Sequence, residues 1–277
     1  MSGAFSKLMA AVSAFRKVWS ANDLDLISAG VAFYGLFSIF PAIAASIAVF
    51  GLIADPVVIY DQLNLLREFI PADVFNLLRA QVNRLLSAES TTLGWASIVS
   101  LGIALWSARA GVGALIRGLN AITGVQSRSG VRHLMTAVGL TAALIGVGIV
   151  ALIMVVIAPV VIAFVPLASK IEGLLLALRW VVALLVLLIA LGLLYRYGPN
   201  GDGVSRGRIF TVGSVVAVVL WYGASWLFSY YLANFGNYNE VYGSIGAVAA
   251  MLMWLYISSY LVLLGCVLNV ALLRIRA

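Results

Sequence analysis

The sequence predicts an all-α, polytopic membrane protein in which six transmembrane helices form a single domain over residues 1–277. The first observation is composition: 64% of the residues are hydrophobic and 10% are charged, whereas soluble domains carry about 25% charged residues. A soluble domain of this length needs a polar surface that this composition does not provide, so lipid is expected to solvate most of the protein. The other two observations are a series of long apolar segments and an uneven distribution of lysine and arginine.

Six apolar segments are long enough to cross a hydrocarbon core about 30 Å thick, which takes about 20 helical residues. They cover residues 28–54, 92–114, 134–165, 174–195, 209–232 and 241–273. Helices are expected because each one satisfies its own backbone hydrogen bonds in lipid, and because the segments are too long and continuous for barrel strands.

Small residues recur at helical spacing in the third, fifth and sixth segments and predict close contacts between helices. They are Ala142, Gly146 and Gly148 in the third segment, Gly213, Ala217 and Ala224 in the fifth, and Gly243, Gly246, Ala247 and Ala250 in the sixth.

Lysine and arginine residues concentrate on one side of this topology. That side carries Lys7, Arg16, Lys17, Arg117, Arg128, Arg132, Arg196, Arg206, Arg208, Arg274 and Arg276, the other side carries Arg67, Arg79, Arg84, Lys170 and Arg179, and Arg109 lies within a span. Because cytoplasmic loops carry the excess of positive charge, the first side, with both termini, is predicted to be cytoplasmic. The net charge of +7 is dispersed over short loops and tails, so nucleic acid is not an expected partner.

Residues 1–27 predict a cytoplasmic amphipathic segment. The apolar residues that recur at helical spacing are Phe5, Leu8, Met9, Val12 and Phe15, while Lys7 and Lys17 can face lipid headgroups. This helix either lies on the inner membrane surface or packs on the cytoplasmic end of the protein itself, and the sequence leaves both interpretations open.

Residues 55–91, between the first two spans, are predicted to form a periplasmic helical excursion. Apolar residues repeat there at three- and four-residue steps, namely Val74, Leu77, Leu78, Val82 and Leu85, and Asp73 after Pro71 is a helix-start signal. The pattern indicates a short helix pair along the outer face that either packs on the spans or docks a partner. This excursion is also the segment best suited to act as a lid.

Three arginines are candidates for a lipid headgroup site. Counting helical rise from residue 92 places Arg109 near the inner headgroups, Arg117 follows two turns later near the same face, and Arg196 begins the next inner loop. Guanidinium groups bind phosphate strongly, so the three side chains could form a basic pocket. The alternative is that they only set the topology at the interface.

A second set of candidates, in the last two spans, is predicted to line a cavity: Trp221, Tyr231, Tyr242, Trp254 and Asn269. Three simpler interpretations stay open. The tyrosines can belong to an aromatic belt at the outer interface, the tryptophans can pack between helices, and Asn269 can bond a neighbouring helix.

The most specific motifs lie in the C-terminal third of the chain. They are Tyr195, Arg196 and Pro199, then Arg206, Gly213, Trp221, Phe228 and Tyr231, then YGSIGAV at 242–248, Trp254-Leu255-Tyr256 and Leu264-Gly265, with AFYGLFSIFP at 32–41 in the first span. On these residues the chain resembles the YihY/BrkB family, a group of bacterial inner-membrane proteins once labelled ribonuclease BN. The resemblance implies a multi-pass inner-membrane protein with a part in envelope lipid handling or transport. Many relatives carry a carboxylate where this chain has Val267, so a mechanism that relies on that acid is not implied here.

Catalysis is not the expected function. His133 is the only histidine, no nucleotide-binding, metalloprotease or hydrolase motif occurs, and no cofactor or metal is implied. Transport or handling of an amphiphilic lipid needs only a cavity, polar anchors and mobile helices, and the scarcity of charge at mid-membrane favours a substrate whose tails stay in lipid. Membrane lipids are therefore the expected partners. A scaffold for envelope proteins is the alternative, and the oligomeric state is left open.

Overall fold

The computed structural model describes residues 2–50, 63–64, 67, 72–87, 95–126, 130–164, 169–200, 208–234 and 244–276. Within these ranges eight α-helices are defined, and no strand. They are α1 (Ser2–Ser20), α2 (Leu24–Phe50), α3 (Ala72–Ser87), α4 (Trp95–Thr123), α5 (Gly130–Phe164), α6 (Ser169–Tyr197), α7 (Val212–Asn234) and α8 (Ser244–Arg276). Each of the six predicted segments overlaps one long helix, so the all-α prediction is confirmed.

By length and composition, four of the helices in the described ranges can cross a membrane. The apolar stretches are Leu24–Ala42 in α2, Gly130–Val150 in α5, Val212–Ala233 in α7 and Gly246–Ile275 in α8. A shorter apolar stretch, Val181–Tyr197, lies in α6. The chain is therefore a multi-pass membrane protein.

Helix α4 extends further than its hydropathy indicates. The predicted span ends at residue 114, whereas the helix continues to Thr123. Its last turns direct Ile116, Leu119 and Ile122 into the protein core, where none is more than 2% exposed. Burial against other helices, instead of contact with lipid, stabilises this end of α4.

Helices α2 and α4 pack closely because small residues face each other. The backbone N–H of Gly111 donates a hydrogen bond of 2.8 Å to the Ser38 hydroxyl, which itself donates to the Tyr34 carbonyl at 2.6 Å. A Cβ at Gly111 would lie 3.0 Å from Ser38 Oγ and 3.4 Å from the Cα of Gly35. Two turns further along α4, a Cβ at Gly118 would lie 2.9 Å from Ile27 Cγ2. Such close approach is the common mode of helix association in lipid.

Helices α7 and α8 cross at Gly213 and Gly265. A Cβ at Gly213 would overlap the Gly265 carbonyl oxygen, and a Cβ at Gly265 would lie 2.6 Å from the Gly213 carbonyl oxygen. Next to this α7–α8 crossing, the fully buried Tyr195 donates a hydrogen bond of 2.6 Å from its hydroxyl to the Val262 carbonyl. Ala217 Cβ of α7 lies 2.9 Å from the position of a Cβ at Gly265. The predicted helix contact at Gly213 and Ala217 is therefore confirmed.

Helix α3 lies in the predicted excursion and buries its apolar stripe. Val74, Leu78 and Val82 are buried in one cluster with Met251 of α8, and Leu36, Ile39 and Phe40 of α2 pack against that cluster. The interpretation that the stripe packs on the spans is thus confirmed for these residues. The side chain of Leu85 and most of the rest of the excursion lie outside the described residues.

Helix α1 packs on the bundle near its C-terminal end. Val18 is buried there, Phe15 packs on the hydrophobic core, and Trp19 Nε1 donates a hydrogen bond of 3.0 Å to the Tyr260 hydroxyl of α8. Met9 and Val12 are exposed, and the side chains of Phe5 and Leu8 lie outside the described residues. The interpretation that α1 packs on the protein itself is supported at this end, and contact with the membrane surface stays a prediction.

Candidate functional site

A cavity of about 480 Å³ lies between α2, α4, α5 and α8 and is named the central cavity. Its wall includes Val31 and Ile39 of α2, Leu115 of α4, Gly148 of α5 and Leu255 of α8. A Cβ at Gly148 would meet no atom within 4 Å. The prediction that Gly146 and Gly148 form close helix contacts is therefore wrong, because both face open space and Gly148 contributes to the cavity instead.

The polar side chains in this wall are all serine or threonine, and their hydroxyls are bonded within the protein. Besides Ser38, Thr141 donates to the Ala137 carbonyl at 2.7 Å, Ser259 donates to the Leu255 carbonyl at 2.7 Å, and Ser258 accepts from Trp221 Nε1 at 2.9 Å. None of the described residues that line the wall is charged. A surface of hydrocarbon and satisfied hydroxyls suits an apolar ligand, because a polar or charged ligand would lose its hydration without gaining free partners.

One end of the central cavity adjoins α3. Ile39 and Leu255 line the cavity and also pack against the cluster formed by Val74 and Leu78 of α3. Helix α3 therefore lies beside the end of the cavity at Ile39 and Leu255. A movement of α3 would change the packing of these two wall residues.

Beyond the opposite end lie two cationic or ionisable side chains and one aromatic ring. Arg117, two residues past Leu115 on α4, places its Cζ 5.4 Å from the centre of the Tyr34 ring. A Cβ at Gly113 would lie 3.6 Å from His133 Nε2 and 3.8 Å from Arg117 Nη1. Because Gly113 has no side chain, the imidazole of α5 and the guanidinium of α4 approach the same point.

The other two arginine candidates have different surroundings. Arg109 lies at the midpoint of α4, with its Cζ 4.1 Å from the centre of the Trp106 ring and its Nε buried without a hydrogen-bond partner among the described residues. Arg109 and Arg117 both lie within α4, so about 12 Å separates their positions along the helix axis. Arg196 lies at the end of α6, its Cζ 5.2 Å from the centre of the Tyr197 ring. Each guanidinium thus faces a different ring, and their common role at a headgroup stays a prediction.

Four of the candidates in the last two spans, Trp221, Tyr231, Trp254 and Asn269, lie outside the described wall of the central cavity. Trp221 is half-buried, and its Nε1 donates a hydrogen bond to the hydroxyl of Ser258, which lines the cavity. Its ring makes an edge contact with the Trp254 ring, with the ring centres 6.0 Å apart. The Trp254 Nε1 is buried and has no partner in the described part of the chain. Tyr231 is exposed and stacks with Phe228 at 6.4 Å. Tyr242 lies outside the described residues.

Asn269 joins α7 to α8. Its Oδ1 accepts a hydrogen bond of 2.8 Å from the Gly213 N–H, and its Nδ2 donates one of 2.9 Å to Thr211 Oγ1. The amide therefore satisfies backbone and hydroxyl groups at the first turn of α7. This is the interhelical bond that was the alternative to a cavity role for Asn269.

Three glycines of this region belong to no motif. Gly111 allows the contact of α4 with Ser38, Gly113 allows the approach of Arg117 to His133, and Gly148 faces the cavity. Only their spacing as small residues could have indicated them, whereas Ser38 lies within the AFYGLFSIFP motif. In the described ranges no group of three or more His, Cys, Asp or Glu side chains could hold a metal ion.

Comparison with known proteins gives a family and several relatives. A family model described as "Virulence factor BrkB" matches residues 15–277. The "Putative ribonuclease-like protein YfkH" of Bacillus subtilis is 32% identical over 249 residues, which is 87% of each chain. A UPF0761 membrane protein of Idiomarina loihiensis is 32% identical over 93 residues, covering 34% of this chain and 32% of the relative. One of Xanthomonas axonopodis pv. citri is 38% identical over 77 residues, covering 28% and 18%. No solved structure matches the chain.

Proposed function

Because the chain belongs to the BrkB family of membrane proteins, we propose that it binds and moves an amphiphilic lipid of the bacterial envelope in the inner membrane. The observation that carries the proposal is the central cavity, about 480 Å³ of space whose wall is apolar and whose hydroxyls are bonded elsewhere. A lipid acyl chain is the ligand whose chemistry matches that wall, because it needs no polar partner.

The ends of the cavity support a lipid more than a wholly apolar ligand. Arg117 lies beyond the end at Leu115, so an amphiphile could place its chain in the cavity and an anionic headgroup outside it. At the other end α3 packs on Ile39 and Leu255, which fits a helix that opens or closes the cavity when lipid enters. One end thus has a cation for a headgroup and the other has apolar side chains, which matches the two parts of an amphiphile.

The proposed topology has six spans, with α4 and α6 crossing the membrane beside the four apolar helices. Both termini are cytoplasmic and residues 55–91 are periplasmic. The lysine and arginine asymmetry supports this arrangement. The packing of Gly111 on Ser38 and of Gly118 on Ile27 also supports it, because α4 then shares the depth of the apolar helix α2.

Tags inserted at single sites test the topology. We expect tags at both termini and in the loop at residues 125–130 to report cytoplasm, and a tag beside Glu89 to report periplasm. A cytoplasmic Glu89 would reverse every assignment of side made for this chain.

A scaffold that only holds envelope proteins is a weaker proposal. A partly open apolar cavity between helices leaves hydrocarbon side chains without the van der Waals contacts that helix packing would give them, unless another molecule fills it. A protein with a purely architectural role gains nothing from a wall of small residues around such a space. The cavity between α2, α4, α5 and α8 therefore favours ligand binding over a scaffold.

Two glycines of α5 provide a matched test of lipid binding. Gly148→Leu places a side chain in the central cavity, whereas Gly146→Leu adds the same side chain to the same helix outside the cavity wall. Wild type and both variants are purified from the same membranes and compared by native mass spectrometry for retained lipid. We expect several-fold less lipid on Gly148→Leu and wild-type lipid on Gly146→Leu. Equal lipid on all three proteins would show that the cavity is not a lipid site.

A further inference from the structure

We propose that Arg117 and His133 form a binding site for a phosphate-bearing anion beside the central cavity. The proposal rests on the proposed function only for the lipid to which the phosphate would belong. Its basis is the approach of two nitrogen atoms from different helices to one point: Arg117 Nη1 of α4 and His133 Nε2 of α5 lie 3.8 and 3.6 Å from the position of a Cβ at Gly113.

The absence of a side chain at residue 113 makes this approach possible. Ala137 Cβ of α5 lies 3.8 Å from the same point, so α4 and α5 pack closely there. Arg117 stands one turn after Gly113 on α4, and His133 stands one turn before Ala137 on α5. Helical geometry therefore brings the two polar side chains to the same side of this helix contact.

Tyr34 lies beside the guanidinium. The Arg117 Cζ lies 5.4 Å from the centre of the Tyr34 ring, a distance at which the ring attracts the cation. A guanidinium carries five N–H donors, and two of them can form parallel hydrogen bonds to phosphate oxygens. His133 Nε2 can donate a third hydrogen bond when it carries a proton.

The charge around the site favours an anion. Arg117 forms no ion pair with a carboxylate in the ranges that the structure describes, and its side chain is exposed, so a headgroup can reach it. Arg132 precedes His133 in the first turn of α5, and the N-terminal end of a helix adds positive potential. A phosphodiester offers two non-bridging oxygens and inorganic phosphate offers four, so either can accept two parallel hydrogen bonds from the guanidinium.

The site adjoins the central cavity along two helices. Gly113 follows Val112, which lines the cavity on α4, and Tyr34 precedes Gly35, which lines it on α2. A phospholipid could therefore reach both places, with its phosphate on Arg117 and His133 and one chain between the helices. Free inorganic phosphate is the other source of the same chemistry.

Three probes separate these sources: phosphatidylglycerol, a phosphate-free diglucosyl diacylglycerol with the same acyl chains, and inorganic phosphate alone. Retained lipids are counted by native mass spectrometry, and phosphate is titrated by calorimetry. The variants are Arg117→Gln, Arg117→Lys and His133→Gln, with Arg274→Gln as a control that removes one exposed positive charge elsewhere. Melting temperatures of all variants establish that they are folded, and Arg117→Lys, which keeps the charge, carries the test if Arg117→Gln is unstable.

We expect Arg117→Gln to lower phosphatidylglycerol binding about tenfold or more, since a charge-assisted pair of hydrogen bonds is lost. Arg117→Lys and His133→Gln should each lower it less, Arg274→Gln should not change it, and glycolipid binding should stay at the wild-type level in all four. Phosphate binding that depends on Arg117 and His133 identifies the free ion as a ligand. Its absence, with dependence for phosphatidylglycerol intact, identifies the headgroup.

Wild-type binding of both phosphate probes by Arg117→Gln, Arg117→Lys and His133→Gln would overturn the site. Failure of the lipid proposal looks different, because Gly148→Leu would then retain both lipids at the wild-type level. If Gly148→Leu loses both lipids while the Arg117 and His133 variants lose neither, the cavity binds chains and the phosphate site is wrong.

Discussion

Where α7 crosses α8, the backbones at Gly213 and Gly265 meet, whereas Gly148 on α5 faces the open space of the central cavity. Polar groups differ in part between the two regions. At the α7–α8 crossing the side chains of Asn269 and Tyr195 bond groups on other helices. In the cavity wall Thr141 and Ser259 donate to carbonyls of their own helices, whereas Ser38 accepts from Gly111 of α4 and Ser258 accepts from Trp221 of α7. The crossing therefore brings two backbones into contact, while the cavity wall leaves space between helices that Ser38 and Ser258 bond to their neighbours.

This difference partly separates the residues that identify the family from those that suggest its function. Tyr195, Gly213 and Gly265 belong to the motifs on which the resemblance rests, and all three lie at the α7–α8 crossing. The described residues that line the central cavity on α4 and α5 lie outside those motifs, whereas Gly35, Ser38 and Ile39 of α2 belong to AFYGLFSIFP. Recognition of the family thus reports a shared packing arrangement, while the space that a ligand could occupy depends also on less distinctive residues of α4 and α5.

The largest expected effect comes from the same substitution in the two regions. Gly213→Ala places a Cβ on the Gly265 carbonyl and should destabilise the protein by about 3 kcal/mol, because the helices must separate. Gly148→Ala adds a Cβ where no atom lies within 4 Å, and should stabilise α5 by up to about 1 kcal/mol through helix propensity. Melting of both purified variants in one detergent measures the difference. Shifts of the same sign would show that the two regions are packed alike.

A smaller difference is expected between the two kinds of hydrogen bond. Asn269→Ala leaves the Gly213 N–H and the Thr211 hydroxyl without their partner and should cost about 1–2 kcal/mol. Ser259→Ala removes a bond to a carbonyl of the same helix, which already accepts along the helix, and should change stability by less than about 0.5 kcal/mol. The same melting experiment compares them. If Ser259→Ala costs as much as Asn269→Ala, the wall hydroxyls contribute to assembly and the contrast between the regions fails.

The helices could be predicted from the sequence because lipid imposes long apolar segments, and each predicted segment overlaps one helix. The end of α4 could not, since Ile116, Leu119 and Ile122 are buried by contacts with residues distant in the chain instead of by lipid. The cavity could not be predicted either, because it is formed by residues of four helices and a sequence pattern describes one helix at a time. Gly213 and Gly148 look alike in sequence, and only the residue opposite each one decides between a contact and a space. The approach of His133 to Arg117 likewise depends on where α5 crosses α4.

The smallest expected effect concerns RNA, because the Bacillus subtilis relative bears a ribonuclease-like name. Catalysis of RNA cleavage by proton transfer needs a base and an acid placed around one phosphate, and His133 is the only histidine in this chain. Near Gly113, His133 is accompanied by Arg117, whose guanidinium donates hydrogen bonds to a phosphate and has no acceptor atom with which to act as a base.

We therefore expect purified protein to retain some RNA at low salt through Arg117 and Arg132, and not to cleave it. The measurement separates the two events: filter binding at rising salt reports retention, which should fall as phosphate contacts are screened, and gel analysis of end-labelled RNA reports cleavage. Wild type and His133→Gln should give identical, background cleavage. Cleavage that co-purifies with the protein, scales with its concentration and disappears in His133→Gln would establish a catalytic role for His133. It would also make the approach of His133 to Arg117 part of an active site instead of a headgroup site.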